Sequence, residues 1–148
     1  MLPAKPEDYV GEVRVEAVLT NLADQTLANR GVIRPDEIRQ LRVRVVVDTG
    51  ESMLVLPEDM ADALGLDQLD TTLVQYADDR TEERSVAEVV RVEVAGRSAE
   101  VRCVVGPSGS EPSLGQIVLE ITDLLVDCSR QQLVSRPQSP YMPSYKLK

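Results

Sequence analysis

The chain has 148 residues, a length that suits a single domain with a buried core. It carries 25 acidic against 16 basic residues, and the resulting net charge of −9 would repel nucleic acid and anionic membrane surfaces. It contains no histidine, which excludes Ser-His-Asp and Cys-His catalysis and most zinc sites. We therefore expect no metal ion and no cofactor, and neither nucleic acid nor a membrane as a partner.

The apolar residues point to a mostly β fold. They make up 43% of the chain with four Tyr and no Phe or Trp, so Val, Leu, Ile, Ala and Met must build the core. Val prefers strands because its branched side chain restricts χ1. Cys103 and Cys128 lie in apolar stretches without a CxxC spacing, so we expect two reduced, buried thiols rather than a disulfide or a reactive thiol. No apolar run is long enough to span a membrane and residues 1–10 lack the apolar core of a signal peptide, which predicts a cytoplasmic protein.

The first third of the chain predicts a loose arm, two strands and a helix. Residues 1–10 hold two prolines and several charges, and they form the arm that precedes a domain spanning residues 11–135. Apolar and polar residues alternate over residues 13–19, as in a half-buried strand. Asn21 is a good N-cap for a short helix. The alternating segment LRVRVVVD then predicts a strand that carries Asp48 at its end.

The remainder predicts further strands, two more helical segments and a tail. PEDMADALGL, residues 57–66, begins with a proline and two acids, and Met60, Ala63 and Leu64 would share one face. Strands flank the polar tip ADDRTEER, and residues 97–105 alternate as another strand. LGQIVLEI has apolar residues at helical spacing, and a hairpin closes around Ser129 and Arg130. The tail, residues 136–148, has three prolines and no periodicity, so it is disordered or lies as an extended arm on another surface.

The tripeptide Asp48-Thr49-Gly50 is the candidate active site. An aspartate placed at the end of a Val-Val-Val strand is costly to bury as a charge unless it has a partner or a function. The tripeptide alone also fits a plain turn that an aspartate starts after a buried strand. Its context favours the functional interpretation, because a second apolar strand and a short helix follow it.

Two longer segments resemble retroviral-type (retropepsin-like) aspartic proteases. VVVDTGESMLVLPEDMADALGL resembles their active-site region, in which Asp-Thr/Ser-Gly follows an apolar strand. SLGQIVLEITDLLVDCSRQQL is similar to their apolar-Gly segment, helix and closing hairpin, and YADDRTEERS falls where they have a flap. The resemblance covers residues 10–137 and is greatest to small single-domain bacterial members, with residues 21–39 as an insertion. It implies a closed β-barrel of six or seven strands with one or two short helices.

The resemblance also implies an endopeptidase that uses a pair of aspartates. Only one Asp-Thr-Gly is present, because DLLVDCS has Cys-Ser in place of Thr-Gly. A two-lobed enzyme would need about twice the usual domain size. A second identical chain would therefore supply the other Asp48 across a two-fold axis. The implied partners are a second copy of the chain and a peptide or protein substrate.

The roles of the family map onto individual residues. Asp48 would be the catalytic carboxylate, Thr49 would link the two active-site loops across the dimer axis, and Gly50 would allow the tight turn. Leu114 and Gly115 would pack against the active-site loop, and the closing strands or the tail would complete the dimer interface. The flap tip that closes over the substrate would consist of Ala77, Asp78, Asp79 and Arg80.

Glu51 departs from the family pattern, which has a small residue, usually Ala or Ser, after the glycine. Its carboxylate has two predicted positions. It points outward and pairs with Arg80 or Arg84, or it lies near the aspartate pair, where it adds negative charge and crowds the substrate. The second position predicts weak activity, activity only in acid, or none. The charged flap also differs from the glycine-rich flaps of the family, and it would favour basic or polar peptides.

Three functions follow from these patterns. The preferred one is peptide-bond hydrolysis by two Asp48 carboxylates in a homodimer. The second is a catalytically silent homodimer that binds peptides in the same cleft, and Glu51 and the charged flap are the reasons to consider it. The third, a monomeric β-barrel interaction domain, requires the family resemblance to be accidental. The oligomeric state and the effect of Asp48→Asn on peptide cleavage separate the three.

Overall fold

The computed structural model describes residues 12–147, so the arm predicted at residues 1–10 lies outside the described residues. The described part of the chain is mostly β. Its strands are β1 (Val13–Asn21), β2 (Gln40–Val47), β3 (Leu54–Pro57), β4 (Gln68–Gln75), β5 (Thr81–Val94), β6 (Arg97–Gly106), β7 (Ser113–Leu114), β8 (Leu124–Asp127) and β9 (Gln132–Ser135). Its helical elements are α1 (Leu22–Asn29), a 3-10 turn (Pro35–Glu37), α2 (Glu58–Ala63) and α3 (Gln116–Thr122).

Six of the strands close into a barrel. They follow one another in the order β1, β2, β7, β3, β6, β5, and the circle closes because β1 pairs with β5 as well as with β2. β2 runs parallel to β7 and β3 runs parallel to β6, whereas the other neighbouring pairs are antiparallel. The mostly β, closed-barrel fold expected from the sequence is confirmed.

Alternating apolar side chains fill the barrel. Val13, Ala17 and Leu19 of β1 are each at most 1% exposed, whereas Glu16 between them is exposed. Burying one Val or Leu side chain contributes about 1.5–3 kcal/mol relative to leaving it in water. The alternation therefore fixes which face of each strand turns inward, and with it the register of the sheet. Alternate residues of β6 are buried as well: Ala99, Val101, Cys103 and Val105.

Three short α-helices lie where the sequence patterns predict helices, one more than the family resemblance implies. α1 begins at Asn21, whose side chain accepts a hydrogen bond from the backbone N–H of Asp24 at 3.0 Å. In α2, Ala63, which was expected to share a face with Met60 and Leu64, is exposed, whereas Ala61 and Leu64 are buried. Ala61 and Leu64 lie three positions apart, on the face that packs against β3 and β6.

The two cysteines differ in their surroundings. Both thiols are free. Cys103 is buried in β6 as expected, and burial raises the pKa of its thiol to about 11. Cys128 was expected to be buried, but it is exposed because it lies in the turn between β8 and β9, at a hairpin tip. No helix within residues 12–147 is long and apolar enough to cross a membrane.

The first part of the tail packs onto the domain through Arg97, at the start of β6. The buried guanidinium of Arg97 donates hydrogen bonds to the carbonyl oxygens of Thr122, Asp123 and Ser139. Ser139 is only 3% exposed, whereas Tyr141 is 93% exposed. The guanidinium thus connects the end of α3 with the tail, and the tail becomes exposed beyond that point.

A hairpin extends from the barrel and corresponds to the predicted flap. β5 is shared between two parts of the structure, because residues 81–87 pair with β4 and residues 90–93 pair with β1. A register shift in the pairing with β6 falls between Ala87 and Val89, where the two parts meet. β4 and the outer part of β5 form this hairpin, which we call the flap hairpin.

Candidate active site

Asp48 follows the last residue of β2 and begins a tight turn. Its backbone N–H donates to the carbonyl oxygen of Leu114 at 2.9 Å, which continues the parallel pairing of β2 with β7. Within the turn, the backbone N–H of Gly50 donates to Asp48 Oδ1 at 3.0 Å, and that of Glu51 donates to the Asp48 carbonyl at 3.2 Å. The hydrogen bond from Gly50 orients the carboxylate relative to the turn.

The Asp48 side chain is exposed in the single chain, as are Thr49 and Gly50. This corrects the expectation that the end of the valine strand carries a buried charge. Val45 and Val47 are buried, but the chain leaves the barrel directly after Val47. An exposed carboxylate keeps its hydration, and it is accessible to substrate or to a second chain.

The N-terminus of α3 supports the segment that follows Asp48. We call residues 48–53 the Asp48 loop. The backbone N–H of Gln116 donates to the carbonyl oxygen of Glu51 at 2.7 Å, and that of Ile117 donates to the carbonyl oxygen of Ser52 at 3.0 Å. The first N–H groups of a helix have no hydrogen-bond partner within the helix. These two bonds therefore give two such N–H groups of α3 an acceptor, and they hold the Asp48 loop in place.

Leu114 and Gly115 lie directly against the Asp48 loop, as the resemblance implies. Leu114 is fully buried. A Cβ atom on Gly115 would lie 2.4 Å from the carbonyl oxygen of Met53 and 2.6 Å from the carbonyl carbon of Ser52. Both are backbone atoms that cannot rotate away, so this close approach requires glycine.

Glu51 forms its hydrogen bond with β7. Ser113 Oγ donates to Glu51 Oε2 at 2.7 Å, and the Glu51 side chain is half-buried. Burial raises the pKa of the Glu51 carboxyl, the hydrogen bond from Ser113 opposes this, and the negative charge of Asp48 raises the pKa further. Glu51 is therefore electrostatically coupled to the candidate catalytic aspartate.

The two arginines predicted as partners of Glu51 lie close to other carboxylates on the flap hairpin. Arg80 Nε is 3.9 Å from Asp78 Oδ2, and Arg84 Nη2 is 3.0 Å from Glu82 Oε1. Glu51 forms no ion pair with any residue between 12 and 147. Of the two positions considered from the sequence, the outward pair with an arginine is not the one observed.

The predicted flap tip, residues 77–80, forms the turn between β4 and β5. The backbone N–H of Tyr76 donates to the carbonyl oxygen of Arg80 at 2.8 Å, and that of Asp79 donates to the carbonyl oxygen of Tyr76 at 3.0 Å. Asp78 Oδ1 accepts a hydrogen bond from the Arg80 backbone N–H at 3.1 Å, and the Arg80 guanidinium lies 4.6 Å from the centre of the Tyr76 ring. These contacts give the tip a defined shape although it contains no glycine.

A cavity of about 320 Å³ lies between the Asp48 loop and the flap hairpin. Among the described residues, its lining combines apolar and neutral polar side chains with a single carboxylate, that of Glu51, and contains no lysine or arginine. The lining residues are Gly50, Glu51, Ser52, Met53, Val55, Thr72, Leu73, Val74, Gln75 and Val104.

A family model described as aspartyl protease matches residues 35–119, which is more than half of the chain. The chain belongs to the aspartyl protease family. The matched range of this family member includes the Asp48 loop, the flap hairpin, Leu114 and Gly115. The retropepsin-like resemblance is confirmed, whereas the likeness to small bacterial members stays a prediction. A search of curated proteins finds no match.

A second cavity of this aspartyl protease family member, about 410 Å³, opens beside Thr49. α3, β8 and the start of the tail form its walls. Leu125 of β8 is 45% exposed here. The lining residues are Thr49, Gln116, Leu119, Glu120, Asp123, Leu124, Leu125, Val126 and Arg136.

One residue that shapes the site, Ser113, was not among the residues predicted from the sequence. Ser113 closes the loop segment GPSGSEPS, whose composition predicts only a turn, and its partner Glu51 lies 62 residues away. Its position directly before the Leu114-Gly115 pair is the one signal that could have identified it. Among the described residues, no group of three or more His, Cys, Asp or Glu side chains could hold a metal ion.

Proposed function

We propose that the protein is an aspartic endopeptidase whose active site contains two Asp48 carboxylates, one from each of two identical chains. The observation that carries the proposal is the exposed Asp48 carboxylate, oriented by Gly50 at the end of β2 in a chain of the aspartyl protease family. The chain has one Asp-Thr-Gly, and the chemistry needs two facing carboxylates. A two-fold axis supplies the second from the same sequence.

The two aspartates would share one proton, because two carboxylates a few ångströms apart cannot both stay ionised. The ionised aspartate removes a proton from a water molecule, and the resulting hydroxide oxygen attacks the carbonyl carbon of the peptide bond. The protonated aspartate donates a hydrogen bond to the developing oxyanion. As the carbon–nitrogen bond breaks, the leaving amine takes up the proton that the other aspartate removed from the water molecule. The pair titrates as a unit, so its protons are not assigned to one chain or the other.

The surface beside Thr49 is the proposed dimer interface. Thr49 is exposed next to Asp48, and the cavity walls there include the partly exposed apolar side chain Leu125. A second chain placed on this surface would bring the two Asp48 residues together and cover the exposed apolar area. Each Thr49 would then hydrogen-bond across the axis to the loop of the other chain.

The flap hairpin and the Asp48 loop would enclose the substrate. The cavity between them has apolar walls on both sides, which suits side chains of an extended peptide. The flap tip, Ala77 to Arg80, would close over the bound peptide and exclude water from the reacting bond. The proposed role of Leu114 and Gly115 is to fix the Asp48 loop so that the carboxylate keeps its orientation.

One observation favours a second candidate, a silent homodimer that binds peptides without cleaving them. Glu51 is half-buried and its charge acts on Asp48. A third acid beside the pair would disturb the sharing of a single proton, and it would occupy space that a small residue leaves free. This candidate keeps the same fold, cleft and interface, and it differs only in the chemistry.

The experiment that tests the proposal combines a measurement of molecular mass in solution with an assay of peptide cleavage. Sedimentation measures whether the chain forms a dimer, and a mixture of peptides is incubated with the wild type and with Asp48→Asn at acid and neutral pH. Cleavage by a wild-type dimer, lost in Asp48→Asn, would support the endopeptidase. A dimer that gives the same peptide profile with and without Asp48 would favour the silent module, and a stable monomer would contradict both.

A further inference from the structure

The cavity between the Asp48 loop and the flap hairpin has an unusual combination of walls. Met53, Val55 and Val104 provide apolar surface, and Glu51 provides the one charged group of the lining. A pocket that combines such apolar surface with neutral polar groups and one carboxylate complements a side chain with an aliphatic stem and a cationic end, which describes arginine and lysine.

Within residues 12–147, no cationic side chain pairs with the Glu51 carboxylate and competes with such a ligand. That carboxylate accepts a hydrogen bond from Ser113, which is neutral, and it has no ion pair within residues 12–147. The Ser113 bond uses Oε2, so Oε1 remains available to a guanidinium or ammonium group of a ligand. A half-buried, unpaired carboxylate is costly, and a bound cation would offset that cost.

The charge of the whole chain acts in the same direction. With a net charge of −9, the protein attracts cationic peptides and repels acidic ones before contact is made. Asp48 adds a second negative charge close to Glu51. A neutral or acidic side chain in the cavity would leave Glu51 without a countercharge. The lining itself therefore favours basic side chains over neutral and acidic ones.

We propose that Glu51 is a specificity-determining residue, which makes this cavity a subsite for an arginine or lysine side chain of the substrate. The inference rests on the proposed peptidase function, because it names the substrate class of the same cleft. Glu51 stands where the family has a small residue after the glycine, and in this role it determines which peptides are bound. Asp48 remains the group that acts on the peptide bond.

Binding to the full chain carrying Asp48→Asn tests the inference without any need for cleavage. The probes are short fluorescent peptides of neutral residues with one arginine moved along the sequence, each paired with a peptide that has citrulline, the neutral analogue, at that position. We expect one position at which arginine binds at least about tenfold tighter than citrulline. Adding Glu51→Gln should reduce that ratio to about one, because glutamine keeps the shape and the acceptor for Ser113 but not the charge.

Glu100→Gln in the same Asp48→Asn background is the matched control. Glu100 is an exposed residue of β6 that does not line the cavity, so the same change of net charge should leave the ratio unaltered. Equal binding of arginine and citrulline peptides, or an arginine preference that survives Glu51→Gln, would overturn the inference. Absence of any peptide binding would overturn it too.

The two proposals fail in different ways. If the wild type cleaves peptides without an arginine or lysine preference, the endopeptidase stands and the role of Glu51 is wrong. If the Asp48→Asn dimer shows the Glu51-dependent preference but the wild type cleaves none of the preferred peptides, the subsite stands and the peptidase chemistry is wrong.

Discussion

Ser113 Oγ donates a 2.7 Å hydrogen bond to Glu51 Oε2, which connects the last strand of the barrel with the residue that follows Asp-Thr-Gly. The bond holds the Glu51 carboxylate in place. Glu51 lies near the charge of Asp48, and it also lines the cavity under the flap hairpin. Its protonation state therefore affects stability and, under the proposed subsite role, substrate preference as well.

Glu51→Gln should make the protein more stable at neutral pH. Burial raises the pKa of Glu51, so the protonated form is favoured in the fold. The stabilisation from that form is complete below the ordinary pKa of a glutamate and is lost as pH rises through the raised pKa. Thermal unfolding should show a higher midpoint for Glu51→Gln near neutral pH and little difference below about pH 4. A lower midpoint than wild type at neutral pH would contradict this, and Glu100→Gln serves as the control.

Asp48→Asn should abolish cleavage while the fold is retained. The asparagine Oδ1 can still accept the hydrogen bond from the Gly50 backbone N–H, and the side chain is exposed, so unfolding should change little. Loss of the acid–base pair should lower kcat by at least about 10²- to 10⁴-fold. Steady-state kinetics on any cleaved peptide measures this. Unchanged kcat with a correctly folded variant would remove Asp48 from the chemistry.

Gly115→Ala should disrupt the Asp48 loop. The added Cβ would lie 2.4 Å from the carbonyl oxygen of Met53. The Asp48 loop or α3 would have to move to remove this steric overlap. We expect a loss of about 1–3 kcal/mol in the free energy of unfolding, together with loss of cleavage.

Gly31→Ala is the control for Gly115→Ala. Gly31 has a φ of 74° and nothing within 4 Å of an added Cβ. The left-handed conformation should cost about 1–2 kcal/mol without an effect on cleavage, since no neighbour is displaced. Equal loss of cleavage in both variants would show that Gly115 acts through general stability and not through the Asp48 loop.

Asp24→Asn should destabilise the fold at neutral pH and less in acid. Asp24 is buried, and it accepts hydrogen bonds from Arg39 Nε at 2.8 Å, Arg39 Nη2 at 2.9 Å and the Arg39 backbone N–H at 3.0 Å. The side-chain bonds from Arg39 lower the pKa of Asp24. Its stabilisation is therefore complete above the ordinary aspartate pKa and is lost as pH falls through the lowered value.

The expected cost of Asp24→Asn at neutral pH is about 1.5–3 kcal/mol. Urea unfolding at neutral pH and at successively lower pH values measures it against the wild type. Asp62→Asn is the matched control, because Asp62 is exposed on α2 and the same substitution should have little effect. A cost that grows as the pH falls would contradict the sign of the argument.

Thiol labelling should distinguish the two cysteines. Cys128 is exposed and should react quickly, whereas Cys103 is fully buried with a thiol pKa raised to about 11, so it should react only on unfolding. A chromogenic disulfide reagent should therefore count one fast thiol per folded chain and two in denaturant. Cys128→Ser should remove the fast phase, and a fast phase that remains would mean that Cys103 is accessible.

The strands and much of the Asp48 site could be predicted from the sequence, because both depend on short-range patterns. The alternation around Val13 and Leu19 fixes which side of β1 is buried, and Asp-Thr-Gly after valines indicates the turn that carries the exposed Asp48. Two features were not predictable in this way. The strand β7 has only two residues, too few for a period, and the partner of Glu51 is set by barrel closure between distant segments.

The exposure of Asp48 was predicted wrongly for a related reason. A strand of three valines indicates burial of the strand, but not where the chain leaves the barrel. Only the parallel pairing of Val46 and Val47 with Ser113 and Leu114 shows that the turn begins at the rim. The same limit applies to α2, where packing against β3 and β6 buries Ala61 and leaves Ala63 exposed.

The place of β7 in the barrel has a consequence for how the protein is made. Glu51 and Ser113 are 62 residues apart, and β7 is the last strand that the ribosome delivers to the barrel. A growing chain therefore carries Asp48 long before Leu114 and Gly115 exist to support it. Under the proposed function, a nascent polypeptide that ends before β7 would lack the support of the Asp48 loop and would not yet cleave its neighbours.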